Sequence, residues 1–393
     1  MASTLIAAHS LVTSLGGDAA TSCAAARAGL VRTHVIEGLR FISSVDGEPT
    51  PVIVHAAPLI THGFEGTARL ERLLASALTE LKPLLPETLA NESSIGFYLS
   101  LPSLDRTLTG LDLIANDETK AGYAELAEGL DEEPIDTGFA HRLMANAASQ
   151  AGFKMAPDLR HVSFAGHAGG VHCMAAAADD LAQQRVSMAI VGGLDSLLDE
   201  ATLEWLHGAS RLKLADMPVG LRPGEACALL ALVHPSQAGA VASPFEVVHM
   251  GTASEDRTLL SGATSVGITL AEVLEAAAEP AGWRDATPAW LVCDHNGETY
   301  RANEWGHALV RLRAQHPALD AAQLWMPAES FGDTGSASAL VSVCVALAAF
   351  ERNYAPASRA VIVSASESQM RAALVLGSSQ PHGATPRGAY GRA

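Results

Sequence analysis

The stretch VSFAGHAGGVHCMAAAADDL (162–181) carries one functional side chain, His167, at the tip of a turn built from Gly166, Ala168, Gly169 and Gly170. Small residues at the head of a helix let the backbone approach a ligand. The free N–H groups there, with the helix dipole, stabilise developing negative charge. Such a turn suits a nucleophile. An imidazole can be acylated, but acyl-imidazoles hydrolyse readily, so His167 is a poor reservoir for a waiting acyl chain. Cys173 lies six residues further along the same helix, rotated off the face of His167, and His172 reads as packed within that helix. Cys293 and His295 share one face of a strand, as a Cys–His pair requires. Flanked by Trp290, Leu291 and Val292, however, Cys293 reads as buried filler.

These groups need strands and helices to hold them. TLIAAHSLVTSLGG reads as a strand and turn, and DAATSCAAARAGL as a helix closed by Gly29. GFEGTARLERLLASALTEL is an amphipathic helix, SIGFYLSLP a buried strand, FAHRLMANAASQAG a helix and RHVSFAG a strand leading into the His167 turn. VSMAIVGGLDSLL and ACALLALVHP are further strands that close a first half at residue 235. The second half, 236–377, repeats the plan. Its strands are FEVVHMGTA and PAWLVCDHNG, its helices GITLAEVLEAAAEPAG, ANEWGHALVRLRAQHP and SASALVSVCVALAAFERN, with a closing hairpin RAVIVSASES/MRAALVLG. Residues 378–393 are poor in large apolar side chains and read as a disordered tail. Strands alternating with helices, twice over, predict an α/β fold. No GxGxxG follows an early strand and no P-loop is present, so the sequence offers no nucleotide cofactor site.

The balance of 25 basic against 43 acidic residues, a net −18, opposes nucleic acid or an anionic membrane as partner. No apolar run reaches membrane-spanning length, and the five scattered cysteines fit a reducing cytoplasm. Between Asp112 and Asp136 lie nine carboxylates and one lysine, read as a solvated helix and loop and as a docking face for a basic partner.

VGGLDSLL (191–198), RPGEACALLAL (222–232) and DHNGET (294–299) occur in the order and spacing of the β-ketoacyl synthases, condensing enzymes of the thiolase superfamily. LIAAHSLVTSLGG resembles their first strand and MRAALVL their last, so the resemblance spans about residues 4 to 377. It implies a thiolase fold, five αβαβα layers built from two similar halves, and a homodimer. It also implies where the chemistry belongs. The cysteine nucleophile position falls on His167, the first histidine on His295, the second on Asp333 in FGDTG, and the supporting lysine on Ala328. The gate loop before the last strand is replaced by SASESQM (364–370). A carboxylate at Asp333 puts negative charge where an oxyanion develops, which destabilises that transition state. Asp333 instead suits a hydrogen-bonded cluster with His167 and His295. Two histidines and a carboxylate also raise zinc, but no local spacing supports a metal.

The C-terminal stretch ESFGDTGSASALVSVCVALAAFERNYAPASRAVIVSASESQMRAALVL resembles thiolase-like proteins of type VI secretion clusters. That resemblance implies a pseudoenzyme adaptor in effector loading, with a spike-tip protein, effector or chaperone as partner. The net charge of −18 ranks an acyl carrier protein lower, because that partner is itself acidic and is repelled unless a local basic patch is kept, for which RLK (211–213) is a small candidate. Two alternatives stand beside the adaptor. One is an acyltransferase, thioester hydrolase or decarboxylase using His167, His295 and Asp333; the other is a non-catalytic subunit of a ketosynthase heterodimer.

Overall fold

The computed structural model describes residues 4–43, 45, 47–85, 94–102, 111–129, 135–154, 157–240, 245–283 and 288–378. The tail past Ser378 and residues 130–134 of the acidic stretch lie outside these. The strands are β1 (Thr4–Val12), β2 (His34–Ile42), β3 (Pro49–Val54), β4 (Ile95–Ser100), β5 (Arg160–Ser163), β6 (Met188–Ser196) and β7 (Glu225–Val233) in the first half. The second half has β8 (Phe245–Ser254), β9 (Trp290–Cys293), β10 (Gln323–Trp325), β11 (Arg359–Ala365) and β12 (Met370–Ser378). The helices used below are α1 (Ala19–Arg27), α2 (Gly66–Leu81), α3 (Thr137–Ala151), α4 (Gly169–Ala182), α5 (Ile268–Ala278), α6 (Thr299–Arg313) and α7 (Ser338–Glu351).

The strands run β10-β9-β11-β12-β8-β1-β7-β6-β4-β5, with β2 and β3 forming a separate hairpin. Without that hairpin, each half orders its own five strands identically. In both, the second strand pairs in parallel with the third and fourth, and the fourth and fifth pair antiparallel. The halves meet where Thr4–Ile6 of β1 pairs antiparallel with Phe245–Val247 of β8. The repeat read from the sequence is therefore a repeat of topology.

Alternation along each strand sends neighbouring residues to different layers. Ile190 packs with Leu73, Leu74 and Phe139 of α2 and α3, while Val191 packs with Met174, Leu340 and Leu347 of α4 and α7. On the far side, Leu291 and Val363 pack under Leu274 and Trp305 of α5 and α6. The layers are thus α, β, α, β, α. Helix α7 lies between the sheets and buries every residue except Val345 and Glu351, which explains its unbroken apolar sequence. A Cβ on Gly170 would sit 2.7 Å from Leu340 Cγ, so glycine is what lets α4 meet α7 here. Local signals agree with the layers. Asp136 caps α3 by accepting Phe139 N–H at 2.7 Å, and Gly152 ends it with φ of 72°.

Candidate functional site

The turn after β5 places His167 at the centre of the molecule. Gly166 takes φ of 68°, turning the chain into a short 3-10 turn, Gly166–Ala168, that feeds α4. His167 is only 4% exposed, and Asp333, arriving from the second half, only 2%. The imidazole Nε2 lies 2.9 and 3.2 Å from the two carboxylate oxygens of Asp333. Asp333 also accepts the Gly335 N–H at 2.7 Å and the Asn296 side-chain amide at 2.5 Å. Its backbone is fixed too: Asp333 N–H donates to Arg222 and Gly224 N–H donates to Asp333, both at 2.8 Å. Burial alone would raise this carboxyl. The charge of His167, its hydrogen bond, the nearby Arg301 and Asn296 outweigh burial and hold it well below the usual carboxylate range.

The expected trio is not assembled. The His295 ring packs edge-on against Trp305, with centroids 5.6 Å apart at 76°, and burial lowers its pKa. No hydrogen bond joins it to His167 or Asp333 among the described residues. Asn296, one position on, reaches Asp333 instead and also donates to Glu298 at 2.8 Å. Ala328 lines a space of only ≈ 10 Å³ together with Asp294, Asn296, Asp333 and Ser342. That is room for about one water and none for a thioester. Among the described residues, no three His, Cys, Asp or Glu side chains gather as a metal set.

SASESQM does not leave the turn open. Ser366 Oγ donates to Ala165 O at 2.5 Å and accepts the Ala168 N–H at 3.1 Å, so the free donor expected beside His167 is occupied. Next to it, Glu367 meets Arg211 at 2.5 Å, and Arg211 also grips Glu298 at 2.6 and 3.1 Å. Burial would raise Glu367, but Arg211 and His167 hold it down to about 2. Arg301 pairs with Asp294 at 3.3 Å and donates to Ala365 O. Asp294 in turn accepts from Ser364 Oγ and Ala365 N, both at 2.8 Å. Arg211, read from the sequence as part of a small basic surface patch, is buried in this lattice of charges.

Chemically, the site is committed to itself. With the Asp333 carboxylate facing it, Nε2 serves as the N–H donor and has no lone pair to attack a thioester. An oxyanion formed beside Asp333 would meet a fixed negative charge. The five cysteines are buried free thiols, and burial pushes Cys173 and Cys293 far above the reactive range.

Solved structures match this arrangement of layers end to end. The ishigamide ketosynthase/chain length factor shares 20% identity with this chain, with a TM-score of 0.64 over 96% of it and 99% of the other chain. A type II PKS acyl-carrier protein in complex with its ketosynthase bound to the hexaketide (AntDE:AntF) matches at TM-score 0.70 and 13% identity, over 96% and 100%. A ketosynthase (ApeO) in complex with its chain length factor (ApeC) from Xenorhabdus doucetiae matches at 0.67 and 13%, over 96% and 98%. The chain has the thiolase fold. No protein-family model matches its sequence, and no curated protein matches it significantly.

These thiolase-fold matches correct the expected partners. The likeness to type VI secretion proteins, and with it the spike-tip, effector and chaperone partners, gives way to ketosynthases and chain length factors. The expectation of a homodimer meets a complex of two differently named chains. The low rank given to an acyl carrier protein is overturned as well, since one match is a ketosynthase with that protein bound. A whole-chain charge of −18 does not decide docking, which reads a local patch within a Debye length. The acidic stretch itself forms the helix Asp117–Gly129, with Asp117 and Glu118 exposed. Among the described residues, no helix is long and apolar enough to cross a membrane.

Proposed function

We propose that this chain is the non-catalytic subunit of a ketosynthase heterodimer, pairing with a chain that carries the active cysteine. The observation that carries this reading is the buried His167–Asp333 pair, in which the imidazole Nε2 is spent on the carboxylate and is not available to attack a thioester. Three further features support it. Ser366 takes the backbone donor at the head of α4, the space beside Ala328 excludes a thioester, and the solved complexes of similar fold include ketosynthases with chain length factors. On this reading the scaffold is kept for its surface, and an acyl-carrier protein serves the assembled pair.

The test is co-expression with a ketosynthase encoded beside it, followed by size-exclusion chromatography and a condensation assay. A 1:1 complex is expected, whose condensation needs the partner's cysteine and survives His167→Ala in this chain. Condensation by this chain alone, abolished by His167→Ala, would overturn the reading.

A further inference from the structure

A second cleft, ≈ 1020 Å³, opens away from His167 between β1, α1, the end of α2 and the end of α7. Small side chains make the room. Ala7 and Ala8 of β1, Ala20 and Ala24 on one face of α1, and Ala348 of α7 line it. Leu84, Leu85 and Pro83 add apolar wall.

Its polar groups are unevenly settled. Asp18 is spent as the cap of α1, accepting Thr21 N–H at 2.7 Å. Arg27 lies over the Tyr354 ring at 3.7 Å, and Arg27 and Arg352 stand exposed at the rim, where water screens them. Glu80, in the wall, accepts Leu11 N–H at 3.0 Å and Ala19 N–H at 2.7 Å, and no cation reaches it among the described residues. Burial, with a smaller push from Asp18, moves Glu80 up to about 7 against those two hydrogen bonds. His9 lines the same cleft while only 8% exposed. Its ring makes no hydrogen bond among the described residues, and its nearest charged group, Glu351, is 3.6 Å away. Burial lowers His9 to about 4, so the ring is neutral and can accept a hydrogen bond.

A desolvated carboxylate without a cation and an imidazole free to accept, both lining one largely apolar cleft, are complementary to one kind of ligand. We propose that the cleft binds a protonated amine with an apolar body, its ammonium on Glu80 and His9 and its hydrocarbon along the alanine face of α1. The cleft shares no lining residue with the His167 site, so its occupancy and the pairing with a ketosynthase are tested apart.

The experiment is calorimetric titration of the purified chain at pH 8, where Glu80 is ionised, with octylamine and with octanoate. Saturable 1:1 binding of octylamine and none of octanoate is expected. Glu80→Gln should weaken the amine by about tenfold or more, the worth of a charge-assisted hydrogen bond. Ala24→Trp, at an exposed helix position that lines the cleft, takes up part of its volume while leaving the Glu80 carboxylate in place and should weaken it similarly. Octanoate binding as tightly as octylamine, no saturable amine binding, or amine affinity unchanged in Ala24→Trp would each overturn the proposal.

Discussion

Removing the Asp333 carboxylate tests whether the centre of the molecule is held by its own polar groups. In Asp333→Ala, His167 Nε2 and the Gly335 N–H lose their acceptor at once, and the Asn296 amide keeps only Glu298. A buried group left unpaired costs about 1–3 kcal/mol, and breaking a buried ion pair by deleting one partner costs about 3–5 kcal/mol. The vacated carboxyl adds to a space of ≈ 10 Å³, so a water can enter and recover part of the loss. The expected cost is therefore about 3 kcal/mol or a little more, not the sum of the three donors. Asp333→Asn keeps one acceptor oxygen and should lose less. Urea unfolding at constant m-value reads the difference directly. The sign with pH follows from the depressed carboxyl. Its contribution is fully present above the unfolded value of about 4 and is lost as pH falls toward the folded value, so the gap between wild type and Asp333→Asn should narrow in acid. An unchanged urea midpoint in Asp333→Ala at neutral pH would refute the account, because it would mean the pair is solvated.

Two more outcomes follow from other buried groups. Glu225, fully buried, accepts Ala57 N–H at 2.7 Å, Thr61 Oγ1 at 2.8 Å and Arg69 Nε at 2.5 Å, so Glu225→Ala should cost about 3–5 kcal/mol in urea unfolding, and a loss under 1 kcal/mol would show that Arg69 is satisfied by water. Burial holds His9 and His55 down to about 4, so the unfolded chain takes protons from about pH 6.5 while the folded chain does not. Stability should fall as pH drops from about 6.5 to 4, and although Glu80 works in the opposite direction over this window, His9→Gln should flatten the fall relative to wild type; equal slopes would count against a buried neutral ring.

The fold was legible because its signals are local and repeated. Alternation in β6, the capped ends of α3 and the apolar run of α7 each state a layer, and DHNGET and RPGEACALLAL place those layers in a known order. The position of His167 and the approach of Asp333 were legible by the same ordering. The rest of the site was not. Nothing in a sequence tells Asn296 from His295 as the residue that turns toward Asp333, since the choice depends on Trp305, which offers the imidazole an aromatic face. Nor does it reveal that Arg211 leaves the surface, because its partners Glu298 and Glu367 lie 87 and 156 positions away. The β2–β3 hairpin and the helix Glu200–Gly208 were missed for a simpler reason: their apolar residues carry no clean period. The partner was misread because a short terminal likeness and a global charge stood in for local surface chemistry.

The lattice around His167 also bears on how this chain can change. Its members come from both halves, and each satisfies at least one other, so none can be exchanged alone without stranding a neighbour. A cysteine at position 167 would leave the buried Asp333 carboxylate without its imidazole, held only by Asn296 and the Gly335 N–H. An opened donor at Ala168 would leave Ser366 holding only Ala165. Each single step toward a reactive pocket thus spends about 1–3 kcal/mol from a total that is commonly only 5–15 kcal/mol. Variation should therefore pass around this centre to the outer faces, leaving the interior as an inherited lock while the molecule's surface remains free to acquire new company.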